Sequence, residues 1–229
     1  MTGPLGTPRV HHRRADSTNA RARELAAAGA PHGTLVTAAE QTAGRGRQGR
    51  TWTAPAHRAL LASLVLRAWP PLLPLAAAVA VAEVAGGASA IKWPNDVLLP
   101  GGRKVAGILV EGRPREGWMV LGIGLNVAVR PGDFPPELRD TAGTLGLEPA
   151  DVEPVLAALL GGLERWLAAP PAAVLSAFRA RDALAGREVA WADGRGRAAG
   201  VDDEGHLLVE SAAGRVALDA GEVHLTRRA

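Results

Sequence analysis

A chain of 229 residues with no cysteine excludes a disulfide scaffold and any site built on thiolates. With 47% apolar and 21% charged residues it reads as a folded globular protein, and a net charge of +3 does not by itself imply nucleic acid. The longest apolar run, Leu72 to Ala82, is broken by Pro74 and too short to span a bilayer; the start, MTGPLGTPRVHHRR, has no apolar segment of the signal-peptide kind. A cytoplasmic protein without a membrane partner is expected.

Taken in chain order, Asp16-Ser17-Thr18-Asn19 precedes the Ala/Arg run Ala20 to Ala28 and reads as the capped start of a helix that Gly29 and Pro31 end. Thr34 to Ala39 is β-branched and apolar, a strand. Gln41 to Arg50 is a Gly/Arg loop without hydrophobic period, and Ala59 to Arg67 a buried strand. A helix is expected over Leu75 to Val84, beyond the prolines at 70, 71 and 74. Ala90–Lys92 and Val97–Leu99 flank Pro94 as short extended pieces. Val105–Glu111 and Met119–Val129 are two more strands, and Asp151–Leu167 and Ala172–Ala183 carry helical apolar spacing.

After Gly186 the pattern changes. Glu188–Trp191, Arg197–Val201, His206–Glu210, Arg215–Asp219 and Val223–Thr226 are short strand-like runs between Gly- and Asp-bearing turns, which predicts a small β-barrel of SH3-like size. The boundary falls near residue 185, giving domains over 10–184 and 185–229.

Residue types that the Ala/Gly/Arg/Leu/Val bias has not displaced point to a site. Of 26 basic residues only Lys92 and Lys104 are lysines; the asparagines are Asn19, Asn95 and Asn126, the glutamines Gln41 and Gln48. Surface positions tolerate Arg for Lys, so a retained Lys suggests a need for a compact ammonium, and Asn offers a paired donor and acceptor. From Gln41 to Ala82 there is no Asp or Glu, while Arg45, Arg47, Arg50, Arg58 and Arg67 all fall there, which favours a phosphate-bearing ligand.

Gly44-Arg45-Gly46-Arg47-Gln48-Gly49 fits G-x-G-x-x-G, but no helix follows and no acid occurs until Glu83, so a Rossmann loop is rejected. Glycine permits close backbone approach, and Arg45 and Arg47 present forks for phosphate oxygens; an RNA-binding basic loop is the alternative. Trp52 could stack on a base or sit in the core. Lys92-Trp93-Pro94-Asn95-Asp96 clusters three polar chemistries around a stiff turn. Lys104 lies at the mouth of a strand, and Asn126 stands within an apolar one, where an unpaired amide costs about 1–3 kcal/mol, so either a local partner or a ligand is needed.

In this order the segments DSTN, EQTAGRGRQGRTW, KWPNDVLL, GRKVAGILVE and GIGLNV resemble the catalytic domain of biotin protein ligases, over about residues 15 to 130. The resemblance implies an α+β fold with a mixed sheet flanked by helices, of the class II synthetase-like biotin/lipoate ligase type, followed by the SH3-like barrel. It implies adenylation of biotin by ATP with Mg²⁺, then transfer to a lysine of a biotin carboxyl carrier domain; a homodimer is compatible with it. By the resemblance, Ser17, Thr18, Asn19, Gln41, Gly44, Gly107 and Ile108 adjoin biotin. Arg45 and Arg47 cover biotin and phosphate, Trp52 stacks on adenine, and Asn126 faces it. Asn95 and Asp96 lie beside the phosphate and the incoming lysine, and Lys104 bridges the biotin carboxylate and α-phosphate. No protein-bound metal site is expected. The family pattern after the Trp runs Ser-Pro-x-Gly-x-Asn-Leu, whereas here His57 and Ala59 replace the Gly and the Asn, which puts contacts of those two in doubt. Family members that repress carry a winged helix before DSTN; with 15 residues ahead of it, no DNA binding by that route is expected. The rival readings are a lipoate protein ligase and an Arg-rich nucleic-acid-binding protein.

Overall fold

A computed structural model describes residues 4–219 and 223–225. Its first unit is a seven-stranded mixed sheet in the order β1-β2-β3-β7-β6-β5-β4. The strands are β1 (Arg9–His12), β2 (Leu35–Ala38), β3 (Ala59–Leu66), β4 (Ala90–Lys92), β5 (Asp96–Leu99), β6 (Arg103–Arg113) and β7 (Trp118–Asn126). Only β1 and β2 run parallel; the other neighbours are antiparallel. β1 lies outside every strand expected from the sequence. Its residues, Arg-Val-His-His, show little apolar signal because the strand is an edge that pairs on one side only.

The sheet is covered on both faces. Helix α1 (Thr18–Ala27) packs Ala22 and Ala26 on Val36, Val65 and Val120. Helix α2 (Leu73–Ala85) lies on the opposite face with α3 (Val152–Leu167) and α4 (Pro171–Arg179) packed near it. From Leu75 to Ala82 every residue of α2 is buried, which is why its sequence is apolar all round. The helix expected to Ala183 ends at Arg179. Beyond it the backbone turns to meet β4: Ile91 N–H donates to the Arg181 carbonyl (2.7 Å) and Ala183 N–H to the Ile91 carbonyl (2.9 Å). Pairing the exposed edge of β4 outweighs one more turn of helix.

The strand expected through Val129 stops at Asn126, whose carbonyl accepts from Leu145 N–H (2.9 Å). The C-terminal strands β8 (Glu188–Trp191), β9 (Gly194–Val201), β10 (Leu207–Ser211), β11 (Gly214–Leu218) and β12 (His224–Leu225) form an antiparallel sheet in the order β11-β10-β9-β8-β12. Thr226, the last residue of the expected final strand, lies outside the described residues. No helix among the described residues is long and apolar enough to cross a membrane.

Candidate active site

The face of the sheet that carries α1 is short of side chains where β6 and β7 run together, because Gly107, Gly122 and Gly124 stand there. A Cβ on Gly122 would meet the Asn19 amide oxygen, and one on Gly124 would lie 2.6 Å from the Trp52 ring. The missing side chains therefore leave a cavity of about 120 Å³ between sheet, α1 and the 44–52 loop.

Its floor is a closed polar network. Ser17, Thr18 and Asn19 are buried at the start of α1. Gln41 Oε1 accepts from Thr18 N–H (2.7 Å) and Thr18 Oγ1 (3.0 Å). Ser63 Oγ lies 2.8 Å from Thr18 Oγ1 and 2.6 Å from Asn19 Oδ1, and Asn19 Nδ2 donates to Glu111 (2.8 Å). The side-chain helix cap suggested by the sequence is absent at Ser17. Asp16 takes the Ser17 N–H instead (2.7 Å) and is gripped by Arg21, which holds its carboxyl well below the usual carboxylate range.

The cover is the Gly/Arg loop. Trp52 N–H donates to the Gly44 carbonyl (3.0 Å) and Gly46 N–H to that of Arg50 (2.7 Å), folding 44–52 back on itself. Gly44 is required by close approach, since a Cβ there would fall 2.3 Å from the Trp52 carbonyl. Trp52 lies against Gly124, and Lys104 Nζ stands 5.9 Å from its ring centroid. Burial pulls the Arg47 guanidinium down from its ordinary value, with Asp96 opposing.

Beyond Trp52 a second, wider lobe of about 680 Å³ opens towards Phe134, Ala142, Arg187 and His224. Arg50, Trp52, Lys92, Asp96 and Lys104 border both lobes. At this junction Lys104 Nζ is 2.6 Å from Asp96 Oδ1. Burial lowers the Lys92 ammonium's pKa, and the nearby Lys104 and Arg50 add to the effect while Asp96 works against it. Asn95 is turned to the sheet, its Nδ2 donating to the Ile108 carbonyl (2.9 Å). Among the described residues Asp96 is the only carboxylate lining either lobe, against cations at Arg45, Arg47, Arg50, Lys92, Lys104 and Arg187. Such a cavity suits a polyanion. Among the described residues the one group able to share a cation, Asp202, Glu204 and His206, lies elsewhere, on the β9–β10 turn.

Asn126 borders the outer lobe. A local partner satisfies its donor, as Nδ2 bonds the Gly143 carbonyl (2.9 Å), whereas Oδ1 is buried with no partner among the described residues. Directly across the β3–β7 ladder stands Ala59, the position at which the motif pattern has Asn. His57, the other departure, has a left-handed φ of +63°, the conformation that explains the usual glycine.

Comparison with known proteins settles the family. Residues 12–127, half of the chain, match the biotin/lipoate A/B protein ligase family, and residues 186–225 match the biotin protein ligase C terminal domain. The chain belongs to the biotin/lipoate A/B protein ligase family. Among its relatives in that family, the biotin–[acetyl-CoA-carboxylase] ligase of Paracoccus denitrificans is 39% identical, the match covering 92% of this chain and 97% of the relative. The bifunctional ligase/repressor BirA of Bacillus subtilis is 44% identical over 63% of this chain, a match that spans about half (48%) of that relative. A biotin protein ligase of Aquifex aeolicus, solved in complex with biotin and ATP, superposes with a TM-score of 0.82 at 28% identity, covering 97% of this chain and 100% of that one.

For this ligase-family chain, every residue given a site role by the motif resemblance except Gly44 and Asn126 lines the inner lobe, and those two adjoin the site as described. Arg58 and Arg67, expected from the acid-free stretch to favour a phosphate ligand, line neither lobe: Arg58 donates to the Ala128 carbonyl (3.1 Å) and Arg67 to those of Ala26 (2.7 Å) and Ala30 (2.7 Å). Sequence reasoning passed over Ser63 and gave no role of their own to Glu111, Gly122 and Gly124, although these stand in the GRKVAGILVE and GIGLNV segments. Ser63 had a signal, as the one polar residue of the strand ALLASLVL. The glycines had the GIGLNV motif, but what lies over them is shown only by the fold.

Proposed function

We propose that this chain is an ATP-dependent, AMP-forming biotin protein ligase that makes biotinyl-5′-AMP and transfers biotin to a lysine of a biotin carboxyl carrier domain. The observation that carries the reading is Lys104, whose ammonium stands where the two lobes meet, 2.6 Å from the Asp96 carboxylate. The named activity of the Paracoccus relative and the biotin and ATP bound to the Aquifex ligase support the same reaction.

Biotin takes the inner lobe. Its ureido head, one carbonyl and two N–H groups, meets the hydroxyls and amides of Ser17, Thr18, Asn19 and Gln41, and its aliphatic chain runs along Gly107 and Ile108 towards Lys104. ATP takes the outer lobe, with adenine on Trp52 and its exocyclic amine towards the unfilled acceptor of Asn126. Magnesium enters with the triphosphate as MgATP, since one carboxylate already paired with a lysine is not a resident metal site.

In the first step a carboxylate oxygen of biotin attacks the α-phosphorus; that O–P bond forms as the bond to the β-phosphate oxygen breaks, and pyrophosphate leaves. Mutual repulsion of the two anions is the obstacle, and Lys104, Arg45 and Arg47 offset it as fixed charges in a partly dry site. In turning to the anions, Lys104 releases Asp96. In the second step the carrier amine attacks the acyl carbon and AMP leaves. An ordinary lysine is neutral in only about one molecule in 10³ at pH 7, and Asp96, beside Asn95, orients that amine and takes its proton.

Purified chain given biotin, ATP and magnesium should release pyrophosphate in a biotin-dependent way, and Lys104→Ala should slow that release by about 10²–10³-fold. Release with lipoate but not biotin would assign the site to the other branch of the family. A Lys104→Ala variant of full speed would remove that residue from the chemistry.

A further inference from the structure

The C-terminal sheet borders the outer lobe at His224 and Leu225, and one of its turns also reaches the KWPND segment. Trp93 is buried, and its indole Nε1 donates to the Gly205 carbonyl at 3.0 Å. Gly205 sits at the tip of the β9–β10 turn with a left-handed φ of +85°. A Cβ there would lie 2.9 Å from Leu72 Cδ2 and 3.1 Å from Leu75 Cδ1, so the tip is wedged against the start of α2. The turn is braced from within. Asp202 Oδ1 accepts the N–H groups of Glu204 (3.1 Å) and His206 (2.7 Å), and Oδ2 lies 2.9 Å from His206 Nδ1. From the side, Arg179 Nη2 donates to the Val201 carbonyl (2.8 Å).

Trp93 belongs to the bend of the β4–β5 hairpin, in which Lys92 and Asp96 stand opposite one another. One side of that bend is tied to β6 by Asn95, whose carbonyl accepts from Ile108 N–H (3.0 Å) and whose amide donates back (2.9 Å). The strands on either side are only three and four residues long, too short to hold the bend unaided.

We propose that the Asp202–His206 turn is a positioning element of the adenylation site: the Gly205 carbonyl, through the Trp93 indole, fixes the hairpin end that carries Lys92, Asn95 and Asp96. The proposal rests on the ligase reading. Its force comes from the geometric tolerance of the chemistry, in which a displacement of about 1 Å can cost about 10²-fold in rate. Gly205 and Asp202 touch no substrate; they act through Trp93.

The test uses the full chain and two variants. Trp93→Phe keeps a ring in place but removes the donor, and Gly205→Ala drives a methyl group towards Leu72 and Leu75. Each should lower kcat for biotin-dependent pyrophosphate release by about five- to tenfold while KM for biotin changes less than about twofold. Because both break one linkage, the double variant should be about as slow as the slower single one. Amide hydrogen exchange at Ile108 should quicken by about tenfold in either variant while exchange along β7 stays as in the parent. Losses that multiply in the double variant, an unchanged kcat, or unchanged exchange at Ile108 would each overturn the proposal. Should Gly205→Ala fail to fold, Trp93→Phe decides on its own. A parent protein that releases no pyrophosphate would sink the ligase reading, and Ile108 exchange in Trp93→Phe would still decide whether the turn holds the hairpin.

Discussion

Gly122 shows how an absent side chain can make a site. Its Cα faces Asn19 so closely that a methyl group would occupy the position of the amide, whose oxygen meets Ser63 and whose nitrogen meets Glu111. Gly122→Ala must therefore expel Asn19 from a buried, hydrogen-bonded network, and a loss of about 2–3 kcal/mol is expected, read as a fall of roughly 5–10 °C in Tm. An unchanged Tm would mean that Asn19 moves without cost. His57 presents the opposite case, a side chain where none is wanted. At φ +63° and exposed, it carries the strain of an L-residue in the left-handed region, about 1–2 kcal/mol, with a backbone bond to the Ala39 carbonyl but no side-chain hydrogen bond among the described residues. His57→Gly relieves that strain but loosens the unfolded chain by about 0.4–1 kcal/mol. A net gain of about 0.5 kcal/mol, seen as a small upward shift in the denaturant midpoint, is expected.

Elements were legible where burial imposed a period and illegible where pairing alone decided. The all-buried β3 and the apolar α2 declared themselves, as did the five short strands after Gly186, because their composition has no other use. β1 did not, since an edge strand of Arg-Val-His-His needs little apolar surface, and the end of α4 did not, since its continuation is claimed by the edge of β4. In the site, motif residues could be found from rare residue types, whereas the task of Glu111, the last residue of GRKVAGILVE, became visible only once α1 brought Asn19 across the sheet. The 44–52 loop was legible by composition, and its behaviour follows from the same composition. Three arginines stand within six residues, two of them exposed, with few backbone bonds among them. Anions in the cavity give those charges a common target, so trypsin cleavage after Arg45, Arg47 and Arg50 should slow by about tenfold or more with biotin and MgATP present. Equal cleavage with and without the substrates would show that the loop does not close on them.

At the scale of the whole molecule, the two sheets are joined through a segment that does two jobs: residues 181–183 cover the edge of β4 and lead on to β8. Asp182 is the weak point of this joint. One carboxylate oxygen accepts the Leu184 N–H at 2.8 Å, while the other is buried with no partner among the described residues. Burial pushes the Asp182 pKa above its ordinary value, against the lowering effect of the Leu184 and Ala185 backbone bonds. A carboxyl whose pKa is higher in the folded than in the unfolded chain binds more protons when folded, so its contribution to stability falls as pH rises from the ordinary carboxylate value through the raised one. Above that window the ionised group remains a fixed cost. Asp182→Asn keeps the acceptor for Leu184 and removes the charge, so at pH 7 it should stabilise the chain by about 1 kcal/mol, or roughly 2–4 °C in Tm. The gain should shrink as pH is lowered towards 4, because the parent then protonates and becomes the uncharged equivalent of the variant. Thermal melts of both proteins between pH 4 and 7 check this, and a gap that widens towards acid would mean that the Asp182 carboxylate has an ion-pair partner across the joint.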